Sequence, residues 1–187
     1  MRQLKSWMVI GMIISFVLIF SNGCSEGSAQ SVSPIPPPPT KIFSSNEIQS
    51  LLARSGINSL NFIMNDRKYV LAKREWVETE FSRGLAKFQF QFGINNWSEE
   101  SNDCDKFSSA ASFYLKWLNN SSPNHVRAAL AAGEIYYIRD KDRAAHAINM
   151  FVFDTNGILS VSFYEPQTVK FIKLSESEIN SIYFWKL

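Results

Sequence analysis

Cysteine is scarce in this chain: 187 residues hold two, Cys24 and Cys104. Histidine is equally scarce, with His125 and His146 alone. An excess of one charge is missing too. The 19 Lys and Arg stand against 17 Asp and Glu, and the difference of +2 comes from Arg2 and Lys5, which lie in a first stretch of 23 residues without Asp or Glu. The rest of the chain is balanced, which argues against nucleic acid as a partner. A membrane-spanning run is also lacking, because the apolar stretch 7–20 is shorter than the roughly 20 residues a helix needs to cross a bilayer.

What is there begins with targeting. Arg2 and Lys5, the apolar stretch and then Ser21-Asn22-Gly23-Cys24 make residues 1–23 a secretion signal. The pattern resembles a bacterial lipoprotein signal, which implies that Cys24 is lipidated and that the protein is exported and anchored to the cell envelope. Ser25, directly after it, fits outer-membrane sorting in a Gram-negative host. The alternative is an uncleaved membrane anchor. Residues 24–41 are rich in Ser and Pro, with Pro36-Pro37-Pro38-Pro39 favouring an extended spacer, and form a tether. Residues 42–187 are long enough for one domain with its own core.

Lipidation of Cys24 leaves Cys104 without a disulfide partner in an oxidising compartment. Such a thiol is either a small buried apolar residue or a group that does chemistry. Helical spacing predicts helices over 46–53 and 73–92, with Gly93 as a stop and with Trp76, Val77, Phe81, Leu85, Phe88 and Phe92 facing the core. A third helix has Asn102 or Asp103 as N-cap, which puts Cys104 within its first turn, and Phe107, Ala110, Ala111, Tyr114 and Leu118 as its apolar stripe. A cysteine in a first helical turn meets unpaired N–H groups and the positive end of the helix dipole, which lower its pKa.

A short helix over 124–132 is expected next, then strands over 134–139, 144–153, 158–165 and 169–174, a helical turn over 176–180 and a closing strand over 182–187. Helices first and strands after indicate an α+β fold with an antiparallel sheet. Asn156-Gly157 is a strong signal for a two-residue hairpin turn. In that register His146 faces Gln167, with Glu165 diagonal to it; a register shifted by one loop position puts His146 directly opposite Glu165. Either way His146, Glu165 and Gln167 share one face of the sheet with Ile148, Met150, Val161 and Phe163, because side chains alternate with period two. A thiol nucleophile needs a base and a group that orients the base. Cys104, His146 and Glu165 are the candidates, while His125 follows Pro123-Asn124 in a surface segment and is incidental.

The stretches Asn102-Asp103-Cys104-Asp105-Lys106-Phe107, His146-Ala147-Ile148-Asn149 and Glu165-Pro166-Gln167, in this order, resemble the C-terminal papain-like domain of fungal agglutinins of the Marasmius type and its bacterial relatives. The resemblance runs from about Asp66, with Tyr69 and Trp76, to the end of the chain. It implies a papain-like cysteine protease-like fold, with Cys104 as nucleophile, His146 as base and Glu165 as the orienting acid. It also implies calcium held by acidic residues near the cysteine, here Asp103 and Asp105, with Lys106 beside them. Gln167 is a candidate to orient a neighbour or to donate to an oxyanion.

The expected activity is hydrolysis of peptide or amide bonds in a peptide or protein substrate. The other readings are a cell-wall peptidase of the NlpC/P60 type and a non-catalytic, surface-tethered binding domain on the same fold. Oligomeric state is left open by these residues.

Overall fold

The computed structural model of the chain describes residues 36, 41–96, 98, 103–123 and 126–187. The expected signal 1–23, Cys24, most of the tether 24–41, Asn102 and His125 lie outside the described residues.

Strand β1 (Ile42–Ser44) hands over to helix α1 (Ser45–Arg54) through a capping box. The Ser44 N–H donates to the Glu47 carboxylate at 2.7 Å and the Ser44 hydroxyl accepts from the Glu47 N–H at 3.3 Å, so two end groups of the helix are satisfied reciprocally. The helix buries Ile48, Leu51 and Leu52, one helical stripe. Short strands β2 (Phe62–Ile63) and β3 (Lys68–Val70) follow.

The expected helix over 73–92 is present but not uniform. It runs as α2 (Arg74–Trp76), a π turn (Val77–Phe81) and α3 (Ser82–Gln91). At the end of the wide turn the Ser82 hydroxyl reaches the Val77 carbonyl at 2.6 Å and the Tyr164 hydroxyl at 2.8 Å, partners that satisfy it although it is buried. Of the aromatics expected in the core, Trp76 and Phe81 are buried, whereas Phe88 is half-buried and Phe92 is exposed. The extra residue of the π turn shifts the later part of the stripe away from the core.

Helix α4 (Cys104–Ser121) buries Phe107, Ala110, Ala111, Tyr114 and Leu118 as expected, and Leu115 as well. Residues 126–132 are a correction. In place of a short helix they form β4 (Ala129–Leu130), parallel to β3, and lead directly into β5 (Ala132–Ile138). Their near-continuous burial is what a strand between two layers shows, and a short apolar run cannot be told from a helix by period alone.

Strands β6 (Ala145–Thr155), β7 (Ile158–Glu165) and β8 (Lys170–Ile172), helix α5 (Glu176–Asn180) and β9 (Phe184–Lys186) complete the chain. The larger sheet has the order β2-β9-β5-β6-β7-β8, antiparallel except for the β2–β9 pair, and the smaller one has the order β1-β3-β4. The fold is therefore α+β.

Thr155 pairs with Ile158, so Asn156-Gly157 is the two-residue turn, and both residues have positive φ, 55° and 85°, as a type I′ turn demands. Strand β6 lies at the centre and is buried on both faces. Ile148, Met150 and Val152 pack with α1 and Trp185, whereas Phe151 and Phe153 pack with Phe81, Leu85 and Tyr114 on the helical side.

Candidate functional site

Cys104 opens α4, and Asp103 is its N-cap with extended backbone, although the Asp103 side chain makes no capping hydrogen bond. Helix α4 is fixed against β6 by Asn149, which is completely buried. Its amide donates to the Ser108 carbonyl and the Ser112 hydroxyl, both at 3.0 Å, and to the Gly133 carbonyl at 3.3 Å. In return the Ser108 hydroxyl donates to the Ile148 carbonyl at 2.9 Å. These bonds join the first turns of the helix to the strand that carries His146.

The β6–β7 ladder ends at the Asn149–Tyr164 pair. Beyond it the two strands part, and their ends are bridged by side chains: His146 Nε2 lies 2.8 Å from Glu165 Oε2. The second oxygen of Glu165 accepts from the Gln167 N–H at 3.1 Å, which orients the carboxylate. The Cys104 sulfur is hydrogen-bonded to the His146 ring and to the Ala147 N–H. With Nε2 engaged by Glu165, Nδ1 is the ring nitrogen that serves the sulfur.

The charges follow from these bonds. The His146 hydrogen bond, above all, pulls the Cys104 thiol down from its ordinary range, against the opposing effect of burial. Burial by itself pushes the His146 imidazole down, but the Cys104 and Glu165 hydrogen bonds and charges prevail and raise it to about 9. Both shifts favour the charged forms, a thiolate on Cys104 beside an imidazolium on His146. Tyr137 stands edge-on to the His146 ring at 5.7 Å between centroids. Burial, and secondarily the thiolate charge, raises the Tyr183 hydroxyl. Chemically, the arrangement is a half-buried, activated thiol open to electrophiles.

Sequence reasoning thus placed Cys104, His146 and Glu165 where the structure brings them together. Gln167 contributes through its backbone N–H to Glu165, and its expected position opposite His146 falls past the end of the ladder. Asn149 was quoted in a motif but its clamp was not foreseen; a buried amide in an apolar strand was the available signal. Glu134 was missed altogether. It is 5% exposed, and its carboxylate is met by Lys186 Nζ at 3.6 Å, the Ser109 hydroxyl at 3.1 Å and the Tyr136 hydroxyl at 3.3 Å.

The residues expected to hold calcium do not fit that ion. Asp103 and Asp105 interact side chain to side chain, which lowers the Asp103 carboxyl and raises that of Asp105. Lys106 Nζ stands 3.7 Å from Asp103 and 3.9 Å from Asp105 and supplies the compensating charge. Calcium takes six to eight oxygens, and no group of three or more His, Cys, Asp or Glu suited to a metal is found among the described residues.

Against known proteins, no protein-family model matches the chain and no curated protein matches it. Solved structures do. One is titled "PSL1a-E64 complex", with a TM-score of 0.57 and 20% identity over 78% of this chain and 51% of that one. Another is Polyporus squamosus lectin bound to the human-type influenza-binding epitope Neu5Aca2-6Galb1-4GlcNAc, with a TM-score of 0.58 and 23% identity over 78% of this chain and 49% of that one. The chain spans about half the length of these structures. The chain thus shares its fold with about half of each of these structures.

The comparison corrects the expected activity. The neighbours are lectins, one of them holding a glycan, so the reading as a peptide or amide hydrolase, of either peptidase type, and with it the peptide or protein substrate, is set aside.

Proposed function

We propose that the chain is a surface-tethered binding domain whose ligand carries carbohydrate, the third of the readings open from the sequence. The observation that carries it is the fold shared with a lectin bound to a glycan. The molecule also offers a place for such a ligand. A groove of about 410 Å³ lies between α1 and the β6–β7 hairpin, lined by the polar Asn46, Glu47, Ser50, Arg54 and Asp154 and by the apolar Phe43 and Leu159. This volume falls in the range of small-molecule sites, and the lining alternates donors and acceptors of the kind that pair with sugar hydroxyls. Export and a lipid at Cys24 belong to the same proposal, since they set the domain where extracellular glycans are. So does the papain-like character of the architecture, a cysteine at the start of a helix laid on a sheet.

In this reading Cys104, His146 and Glu165 act together as a reactive thiolate cluster, steadied by Gln167 and separate from the groove. The test is a glycan array that includes Neu5Aca2-6Galb1-4GlcNAc, probed with the full chain and with the Asn46→Ala and Arg54→Ala variants. Binding that weakens at least tenfold in the groove variants supports the proposal. Binding that is absent, or that both variants leave untouched, overturns it for this groove.

A further inference from the structure

A second surface shows a different chemistry. Helices α3 and α4 carry a continuous band of rings: Phe88 lies 4.7 Å from Phe92, 6.1 Å from Phe113 and 5.0 Å from Tyr114, and Tyr114 lies 5.8 Å from Trp117, all between centroids. Phe88 and Tyr114 fill the seam between the helices. Phe92, Phe113 and Trp117 stand out of it, 61%, 61% and 49% exposed. Three large aromatics side by side in water mark a surface that something covers.

The charges on the same helices say what. Helix α3 and the part of α4 that follows Asp105 hold no Asp or Glu, and Lys87, next to Phe88, and Lys116, next to Trp117, are exposed on them and enter no ion pair among the described residues. In a chain whose charges otherwise balance, each helix thus sets a cation beside the aromatic band. Aromatic side chains prefer the level of lipid headgroups, and cations beside them are drawn to anionic lipid.

We propose that this face docks on an anionic membrane surface. The inference rests on the tethering proposed above. Residues 25–41 can span roughly 55 Å when extended, well over the radius of gyration of about 15 Å expected for a domain of this size. The tether therefore lets the face reach the bilayer and holds it there at high effective concentration. A modest affinity suffices under those conditions. No helix among the described residues is long and apolar enough to cross a membrane, so the contact is made along the surface.

The full chain is reconstituted with vesicles of phosphatidylcholine, alone or mixed with phosphatidylglycerol, whose acyl chains carry bromine close to the headgroup. Flotation reports the tether, and the quenching difference between the wild type and Trp117→Phe reports this face alone. The expected result is flotation with both lipids and quenching of Trp117 in the anionic vesicles, reduced by added salt and by the combined Lys87→Gln and Lys116→Gln changes. Each cation is expected to contribute about fivefold. The charge changes are on exposed positions, and circular dichroism verifies that the variants fold.

Flotation without quenching overturns the docking face and leaves the tether standing, while failure to float overturns both. Burial of Trp117 in a dimer seen without lipid, or a change in its emission on adding glycan alone, also overturns the assignment of this face to lipid.

Discussion

The imidazole of His146 and the carboxylate of Glu165 meet at 2.8 Å across the gap where β6 and β7 part, with side chains only 8% and 12% exposed. The Cys104 hydrogen bond and this pair together favour the charged form of His146. Its folded pKa of about 9 stands above the ordinary 6.5, so its contribution to stability is complete below pH 6.5 and is lost as the pH rises through about 9. Glu165→Gln is therefore expected to cost about 1 to 3 kcal/mol near pH 6 and to lose that penalty by about pH 9. Denaturant unfolding of both proteins across this range measures the difference.

Thiol reactivity follows from the same arrangement. Alkylation of Cys104 by iodoacetamide is expected to proceed below the pH at which a free thiol ionises, and His146→Ala to slow it at least tenfold at neutral pH and move its pH dependence up to the free-thiol range. Mass spectrometry of the alkylated peptide gives the rates. Equal rates in the two proteins would place the thiol outside the influence of the ring.

Asn149→Ala removes the clamp between α4 and β6 and leaves the Ser108 and Gly133 carbonyls without this donor in a dry interior. A loss of roughly 2 to 3 kcal/mol is expected, together with slower alkylation of Cys104, because the helix start is no longer held against His146. A stability loss with unchanged alkylation would restrict Asn149 to packing.

Gly133 sits opposite Met150 in β5, and a Cβ built there would fall 1.8 Å from the Lys186 carbonyl oxygen of the closing strand. Gly133→Ala is expected to displace β9 and to destabilise the fold by more than about 3 kcal/mol, read as a lower denaturation midpoint. A tolerated alanine would show that β9 yields freely.

Asp103 and Asp105 already have their counter-charge in Lys106. Neither calcium nor a chelator is expected to move the thermal midpoint, whereas Asp105→Asn removes the neighbour that lowers the Asp103 carboxyl and shifts the acid side of the stability profile. A calcium-dependent rise in the midpoint would contradict this assignment.

Much of the site was legible in the sequence because its logic is local or periodic. Asn156-Gly157 set the hairpin register, and with it the shared face of His146 and Glu165; the apolar stripe from Phe107 to Leu118 set the helix that Cys104 opens. What was not legible depends on partners distant in the chain. The pairing of β3 with β4 turned an expected helix into strands, and the approach of β9 explains the glycine at position 133. The π turn put Phe92 in solvent against an otherwise sound helical period. The ladder's end at Tyr164, which gives Gln167 a backbone role, is a tertiary event too.

The most direct test of the central claim sets two readouts on one sample: glycan binding by calorimetry and peptide release from a protein substrate, for the full chain and its Cys104→Ala variant. A tethered binding domain predicts glycan binding of equal strength in both proteins and no Cys104-dependent peptide release. Peptide release lost with Cys104, in a protein that binds no glycan, would contradict the account.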